Sequence, residues 1–461
     1  MSSLVLDVAE WAETQFGLCE LGDVRRTRRA VKAAVQFALS PDATTPRQIE
    51  IWSDLKAAYR LFGQESVTFR SLAEPHWQRT RAAAKGVCLL ISDTTETNFG
   101  MRRHVQSANL GPTGNGKGRG FMLHSSLMVM PDSREVVGLA GQELFYRKPK
   151  KRAKENSYKR SQRARESEVW GRVIDLIGPP APGVTYLHVG DRGADNLEVF
   201  CHCQEQKSGW VIRASHLRRA ILRPDGRKAK LQNWLAVQPV LGTYELSVRA
   251  TLRAPARTAK LEVRAAPVTL IHTGRKTPYL RKFGDVKICE WVIEAREVNP
   301  PRGIKAVQWV IHTSEQASTF EDAWRILEYY EARWTIEEFH KCLKTGCQLE
   351  SRLYTQSTSL EAVAGMFSVL AVRLLQLKSV SRLEPDLPAE KIVPLAWLKM
   401  LRSLRRKPIH TVSDFFRHLA GLGGFLMRKG DGEPGWITIW RGLTKLLLCL
   451  RGARAASQRS G

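Results

Sequence analysis

Three carboxylates, far apart in the chain, stand where folding can bring them together. Asp93 follows the apolar run Val87-Cys-Leu-Leu-Ile-Ser92, and Asp191 follows Val184-Thr-Tyr-Leu-His-Val189 and Gly190. Short apolar runs of this kind read as buried strands, and the ends of neighbouring parallel strands cluster in space. Glu337 lies in Tyr330-Glu-Ala-Arg333-Trp-Thr-Ile-Glu337-Glu-Phe-His-Lys-Cys-Leu-Lys344, a stretch without Gly or Pro that reads as one helix. At about 100° per residue, Arg333 falls about −60° from Tyr330, Glu337 about −20° and Lys344 about −40°. Glu338 falls about +80° away, off this stripe. One carboxylate among two cations and a phenol suits a metal beside a phosphate backbone. A solvated face laced with ion pairs fits the same stripe. Oxygen ligands from Asp93, Asp191 and Glu337 suit Mg²⁺, with Mn²⁺ as a substitute. Two such ions, about 3.5–4 Å apart, can activate a water or a 3′-hydroxyl and stabilise the leaving oxygen of a phosphoryl transfer.

The elements that must position these groups can be taken in chain order. Residues 1–69 read as helices. Leu21-Gly-Asp23 is a turn and N-cap signal ahead of Val24-Arg-Arg-Thr-Arg-Arg29. Arg25, Arg26 and Arg29 at that helix start are candidate phosphate contacts, alongside the free backbone N–H groups of the first turn. Residues 70–375 read as α/β. The strands before Asp93 and Asp191 are joined by strands at 120–130 and 135–145 and by helices at 167–177 and 196–205. A β-rich insertion, about 206–305, reads as a sheet closing on the strand that holds Trp309. Residues 376–461 read as helices and could serve a partner subunit. The run Ala362–Val372, broken by Arg373, is too short for the roughly 20 residues that span a bilayer and reads as a buried helix.

Composition narrows the partner. Among 461 residues, 72 Lys and Arg stand against 45 Asp and Glu, a net charge of +27. A surplus of that size predicts a polyanion, with DNA first and a membrane surface second. The densest cations run from Arg147 to Arg165 and read as a phosphate track or a solvated loop. Gly111-Pro-Thr-Gly-Asn-Gly116-Lys-Gly118 is not a phosphate loop, because Gly follows the Lys and the flanks read strand to strand. It reads as a hairpin loop. Cys201-His-Cys203 lacks a second pair at zinc-ligand spacing. Eight scattered cysteines fit a reducing cytosol, and Met1-Ser-Ser-Leu-Val-Leu-Asp7 does not read as a secretory leader.

The order of strands, Asp93, Asp191, β insertion and helix with Glu337 resembles the ribonuclease H-like DDE transposases of bacteria. The spacing Tyr330-x2-Arg333-x3-Glu337-x6-Lys344 matches the YREK signature of their insertion-sequence-four family. Leu21-Gly-Asp23, Asp93-Thr-Thr95, Val372-Arg-Leu-Leu-Gln-Leu377 and Leu422-Gly-Gly-Phe425 also resemble that family, so the likeness spans nearly the whole chain. It implies a ribonuclease H-like catalytic core with a β-sheet insertion, flanked by helical N- and C-terminal domains. It implies Asp93, Asp191 and Glu337 as the metal triad, and Tyr330, Arg333 and Lys344 on the phosphates of the cut strand. It implies Arg213 at the same DNA end and Trp309 stacked on a flipped base. The implied reaction is cut-and-paste transposition through a hairpin, by a homodimer on paired inverted-repeat ends, with no membrane partner. A nuclease without strand transfer, or a decayed chain that only occupies DNA ends, is the alternative. Gly193 departs from the family's pattern, which has an acid there, and the region after Lys378 differs.

Overall fold

The structure is a computed structural model that describes residues 7–100, 110–114, 118–148, 165–250 and 255–457. Most of the cationic tract, 149–164, lies outside these residues. The chain opens with α1 (Val8–Phe16), α2 (Val24–Leu39), α3 (Thr45–Gln48), α4 (Trp52–Phe62) and α5 (Phe69–Ala82). The first two start where an aspartate can serve the orphan N–H groups of a first turn. Asp7 accepts from Ala9 and Glu10, and Asp23 accepts from Arg25. Their apolar faces bury Trp11, Phe16 and Phe37, and α4 adds Phe62. Phe37 also meets Phe367, at 5.1 Å between ring centroids, so these helices share a core with the later part of the chain.

Next come β1 (Gly86–Glu96), a small hairpin of β2 (Gly111–Pro112) and β3 (Arg119–Gly120), β4 (Met122–Val129), β5 (Val136–Phe145), α6 (Val169–Ile177), β6 (Val184–Gly190), α7 (Leu197–Glu205) and β7 (Gly209–Arg213). The glycine-rich loop joins the two strands of the hairpin, as its flanks predict. The five longer strands lie in the order β5-β4-β1-β6-β7. Strands β1, β6 and β7 are parallel, and β4 is antiparallel to both neighbours. Successive residues of a strand face opposite sides. Leu89 and Ile91 therefore join the core under the N-terminal helices, and Cys88 and Leu90 join the core under α6 and α7.

The β-rich segment adds β8 (Ala220–Leu222), β9 (Lys228–Lys230), a short α8 (Leu231–Ala236), β10 (Gly242–Val248), β11 (Arg257–Ile271), β12 (Lys287–Glu297) and β13 (Gln308–Thr313). These strands close on the strand of Trp309 and are continuous with the catalytic sheet. Strand β13 pairs antiparallel with β7, Ile311 opposite Arg213, and the sheet continues through β12, β11, β8 and β9. The described residues thus form one eleven-stranded sheet. The β7 edge, which would otherwise expose unpaired N–H and C=O groups, is covered by the returning strand.

The helices that follow are α9 (Phe320–Glu331), α10 (Trp334–Lys341), a π turn at Cys342–Gly346, α11 (Ser357–Leu383), α12 (Leu395–Arg405), α13 (Val412–Leu422) and α14 (Trp436–Ser457). Helix α11 runs straight through Arg373, which is fully buried with its guanidinium 5.4 Å from the Trp11 ring. Its 27 residues are long and apolar enough to cross a membrane, but here they fill the protein core. A third core joins α12, α13 and α14. There α13 and α14 touch backbone to backbone: a Cβ on Gly442 would lie 1.8 Å from the Leu419 carbonyl oxygen.

Candidate active site

Asp93 is not at the end of its strand. Pairing between β1 and β6 stops at Ile91, but β4 is longer and keeps β1 paired through Asp93, opposite Ser125, to Glu96. The carboxylate thus projects from a strand supported on one side only, with the side next to β6 left open. Asp191 leaves the end of β6 and accepts the Gly193 N–H at 2.7 Å, turning the chain into a short 3₁₀ segment. Gly193 leaves that contact room, since a Cβ there would sit 3.0 Å from the carboxylate.

The stretch 330–344 is not one regular helix. It breaks between α9 and α10, where Arg333 and Ile336 donate to carbonyls only three residues back, Tyr330 and Arg333. It then widens into the π turn, with the Cys347 N–H reaching the Cys342 carbonyl. The break turns Tyr330 into the core, 5% exposed, with its ring edge-on to Trp309 at 6.0 Å. It leaves Arg333 as a clamp: one guanidinium nitrogen lies 3.5 Å from Asp93 and 3.2 Å from Glu337. Burial opposes the Arg333 charge, and Tyr330, Glu337 and Asp93 together outweigh it. Lys344 lies on the π turn, 3.8 Å from Glu350. Arg213 donates to the Gln308 carbonyl, beside Trp309. Glu338 points away and binds Lys378 on α11 at 2.6 Å.

Asp93 is held well above the usual carboxylate range, at about 6. Burial is the main cause, the Thr94 N–H and Arg333 work against it, and Asp191 and Glu337 add like-charge repulsion. A buried carboxylate repelled by two others, with Arg333 only partly offsetting them, is what a divalent ion would relieve. A fourth group, which sequence reading passed over, joins them. His340 is 8% exposed, its Nε2 has no hydrogen-bond partner among the described residues, and its ligand atom lies within 4.8 Å of those of Asp93 and Glu337. Burial, Lys344 and Arg333 push it down to about 3, so the ring is neutral and able to offer a lone pair. The signal was its i, i+3 spacing from Glu337, masked by the apolar residues Ile336 and Phe339 that precede it.

The N-terminal arginines lie apart from this cluster. Arg26 is turned inward onto the Leu21 carbonyl and Ser66, and Arg29 shares Asp54 with Lys32. Arg25 and Arg28 are exposed.

Three family models match in order along the chain: Transposase DNA-binding over residues 8–67, Transposase DDE domain over 157–372 and Transposase Tn5 dimerisation domain over 369–461. The chain belongs to the DDE transposases. The combination is that of a Tn5-like member of the insertion-sequence-four family. Its matched parts carry DNA binding, strand chemistry and dimerisation, and the family works with divalent metal ions. The oxygens of Asp93, Asp191 and Glu337 fit such an ion by donor chemistry and by the repulsion they show without it.

Proposed function

We propose that this transposase cuts transposon ends through a hairpin intermediate and joins them to target DNA. The reading rests on one observation: Asp93 on a strand and Glu337 on a helix, separated by most of the catalytic sequence, share the Arg333 guanidinium, with Asp191 close enough to repel Asp93. The strand order β5-β4-β1-β6-β7, with β4 reversed, supports a ribonuclease H-like core for residues 70–375. Residues 1–69 and 376–461 are then the DNA-binding and dimerisation parts.

Asp93, Asp191 and Glu337 would hold the ions, Mg²⁺ or Mn²⁺ and two in number, which supply an activated water or 3′-hydroxyl and a stabilised leaving oxygen. Arg333 balances the carboxylates in the free protein and offers a planar, two-pronged donor to phosphate. Lys344 adds a point charge farther along the same chain segment. Tyr330, its ring braced edge-on by Trp309, would add a phenol to the same phosphate contacts. Trp309 gives a flipped base an aromatic face worth roughly 1–3 kcal/mol, and Arg213 sits beside it for the adjoining phosphate. Because its substrate is DNA, the enzyme works in the bacterial cytoplasm, as a homodimer that pairs two inverted-repeat ends.

Two assays test this. Asp93→Ala abolishes cleavage of a cognate end duplex with Mg²⁺ or Mn²⁺; surviving cleavage rejects the triad. Pre-cut ends incubated with supercoiled plasmid yield joined product; cutting without joining makes the protein a nuclease instead.

A further inference from the structure

Behind Asp191 lies a cavity of about 430 Å³ that the catalytic cluster does not use. Its wall is the turn Arg192–Gly193 after β6, the start of α7, Ser215 and His216 after β7, and the segment from His272 to Leu280 after β11. Four arginines line it: Arg165, Arg192, Arg219 and Arg275. Against these four guanidinium groups stand two carboxylates, and both are already engaged. Asp195, with a fully buried side chain, accepts the Ser215 N–H at 2.6 Å and the His216 N–H at 3.1 Å, and pairs with Arg219. Glu198, its side chain 6% exposed, accepts from the Thr277 hydroxyl and pairs with Arg165 at 2.7 Å. The acids therefore fix Arg219 and Arg165 in place and leave part of each guanidinium unspent. Arg219 Nη1 and His272 Nε2 are buried without a hydrogen-bond partner among the described residues, and Arg165 Nε meets only Glu168, at 3.8 Å. Arg192 and Arg275 are exposed and enter no ion pair among those residues.

We propose that this cavity holds a backbone phosphate of the DNA strand that passes the metal-binding carboxylates. The inference rests on the transposase reading. The cavity is built for an anion of that kind: forked donors match phosphate oxygens, and their carboxylate anchors remove the entropy cost of ordering long side chains. Its position commits it to the strand at the active site, because Arg192 and Gly193 directly follow Asp191. Arg165 is also the last cation of the Arg147–Arg165 tract, the one charge feature that the catalytic cluster leaves without a role.

The test reads binding, in full-length protein without divalent metal. Each phosphate contact contributes about 0.9 to the slope of log affinity against log salt on duplex DNA and about 0.7 on single strands. Arg192→Gln with Arg275→Gln lowers that slope by roughly 1 relative to wild type, and Arg275→Lys keeps it near the wild-type value. Single methylphosphonates walked along the end duplex then locate the contact, since one position that weakens wild type leaves the double variant unaffected. Both changes are at exposed side chains, and a thermal melt checks that the variant is folded. An unchanged slope, with every methylphosphonate costing both proteins equally, overturns the proposal. So does inorganic phosphate that binds wild type and not the variant while the DNA slope stays the same, which makes the cavity a small-anion site. A wild-type protein that cuts and joins ends yet gives either result refutes the pocket and leaves the transposase reading standing.

Discussion

Among the described residues, two sets of ligand-type side chains have almost the same chemistry. Asp93, Glu337 and His340 converge on one, and Asp175, His202 and Glu205 on the other. In the second set each group is satisfied. His202 Nδ1 meets Asp175 at 3.0 Å, Gln206 donates to the same carboxylate, and Glu205 accepts the hydroxyl of Tyr279, whose ring stacks on His202 at 4.0 Å. Burial would raise the Asp175 carboxyl, but His202 and Gln206 outweigh it and bring it below the usual range. In the first set Asp93 is raised to about 6, His340 Nε2 has no hydrogen-bond partner among the described residues, and an arginine is stretched between two carboxylates. Donor identity and spacing are therefore poor guides by themselves. What separates a fastening between helices from a reactive centre is whether the polar groups have already satisfied one another.

The comparison can be broken by mutation. Glu337→Gln is expected to reduce end cleavage by roughly 10³-fold or more, while Asp175→Asn and His202→Ala leave the cleavage rate within about twofold of wild type. A gel assay on an end duplex reads both, and equal losses would erase the distinction. Next in size is metal-induced stabilisation. Mn²⁺ at 100 times its dissociation constant contributes about 2.7 kcal/mol to the folded state. The matching rise in melting temperature should vanish in the Asp93→Ala, Glu337→Ala double variant and persist in His202→Ala. Conversely, His202→Ala costs about 1–2 kcal/mol of stability without metal, because it strands Asp175 and the Tyr279 face.

The pH dependence sharpens the same point. Asp93 binds its proton more tightly folded than unfolded, so its contribution to metal-free stability is present at low pH and is lost as pH rises from about 4 to about 6. Metal affinity runs the other way, rising through about pH 6 as the carboxylate ionises. Calorimetric titration with Mn²⁺ from pH 5 to 7.5 checks this, and a flat profile would place the proton elsewhere. The smallest effect is expected for Glu338→Gln, which removes a partly exposed pair with Lys378 worth about 0.2–1 kcal/mol and leaves cleavage intact.

Much of the site was legible in the sequence because its carriers are periodic. Apolar runs announced the strands of Asp93 and Asp191, and helical spacing put Arg333 and Glu337 on one side. What failed was local geometry governed by distant partners. Nothing near Asp93 says that β4 outlasts β6, so the strand was read three residues short of its end at Glu96. Nothing in 330–344 breaks a helix by composition; the tightened turn at Arg333 is seen only with Tyr330 docked against Trp309 from another strand. The segment from Trp210 to Thr313 showed its strands but not their continuity, since pairing between β7 and β13 joins residues about a hundred positions apart. The partner of His202 within Cys201-His-Cys203, Asp175 on α6, lay too far back to be guessed.

That continuity of the sheet sets a length scale. Strands β6, β7 and β13 are immediate neighbours, so the end of β6 that carries Asp191 and the strand of Trp309 stand two strand spacings apart, roughly 10 Å. Backbone hydrogen bonds hold that separation, and the residues between β7 and β13 do not. The segment from β8 to β12 can therefore lengthen, shorten or change its loops without altering the distance between the strand end that carries Asp191 and the strand that carries Trp309. The enzyme carries a ruler graduated in strands, and its intervening hundred residues are free to vary around it.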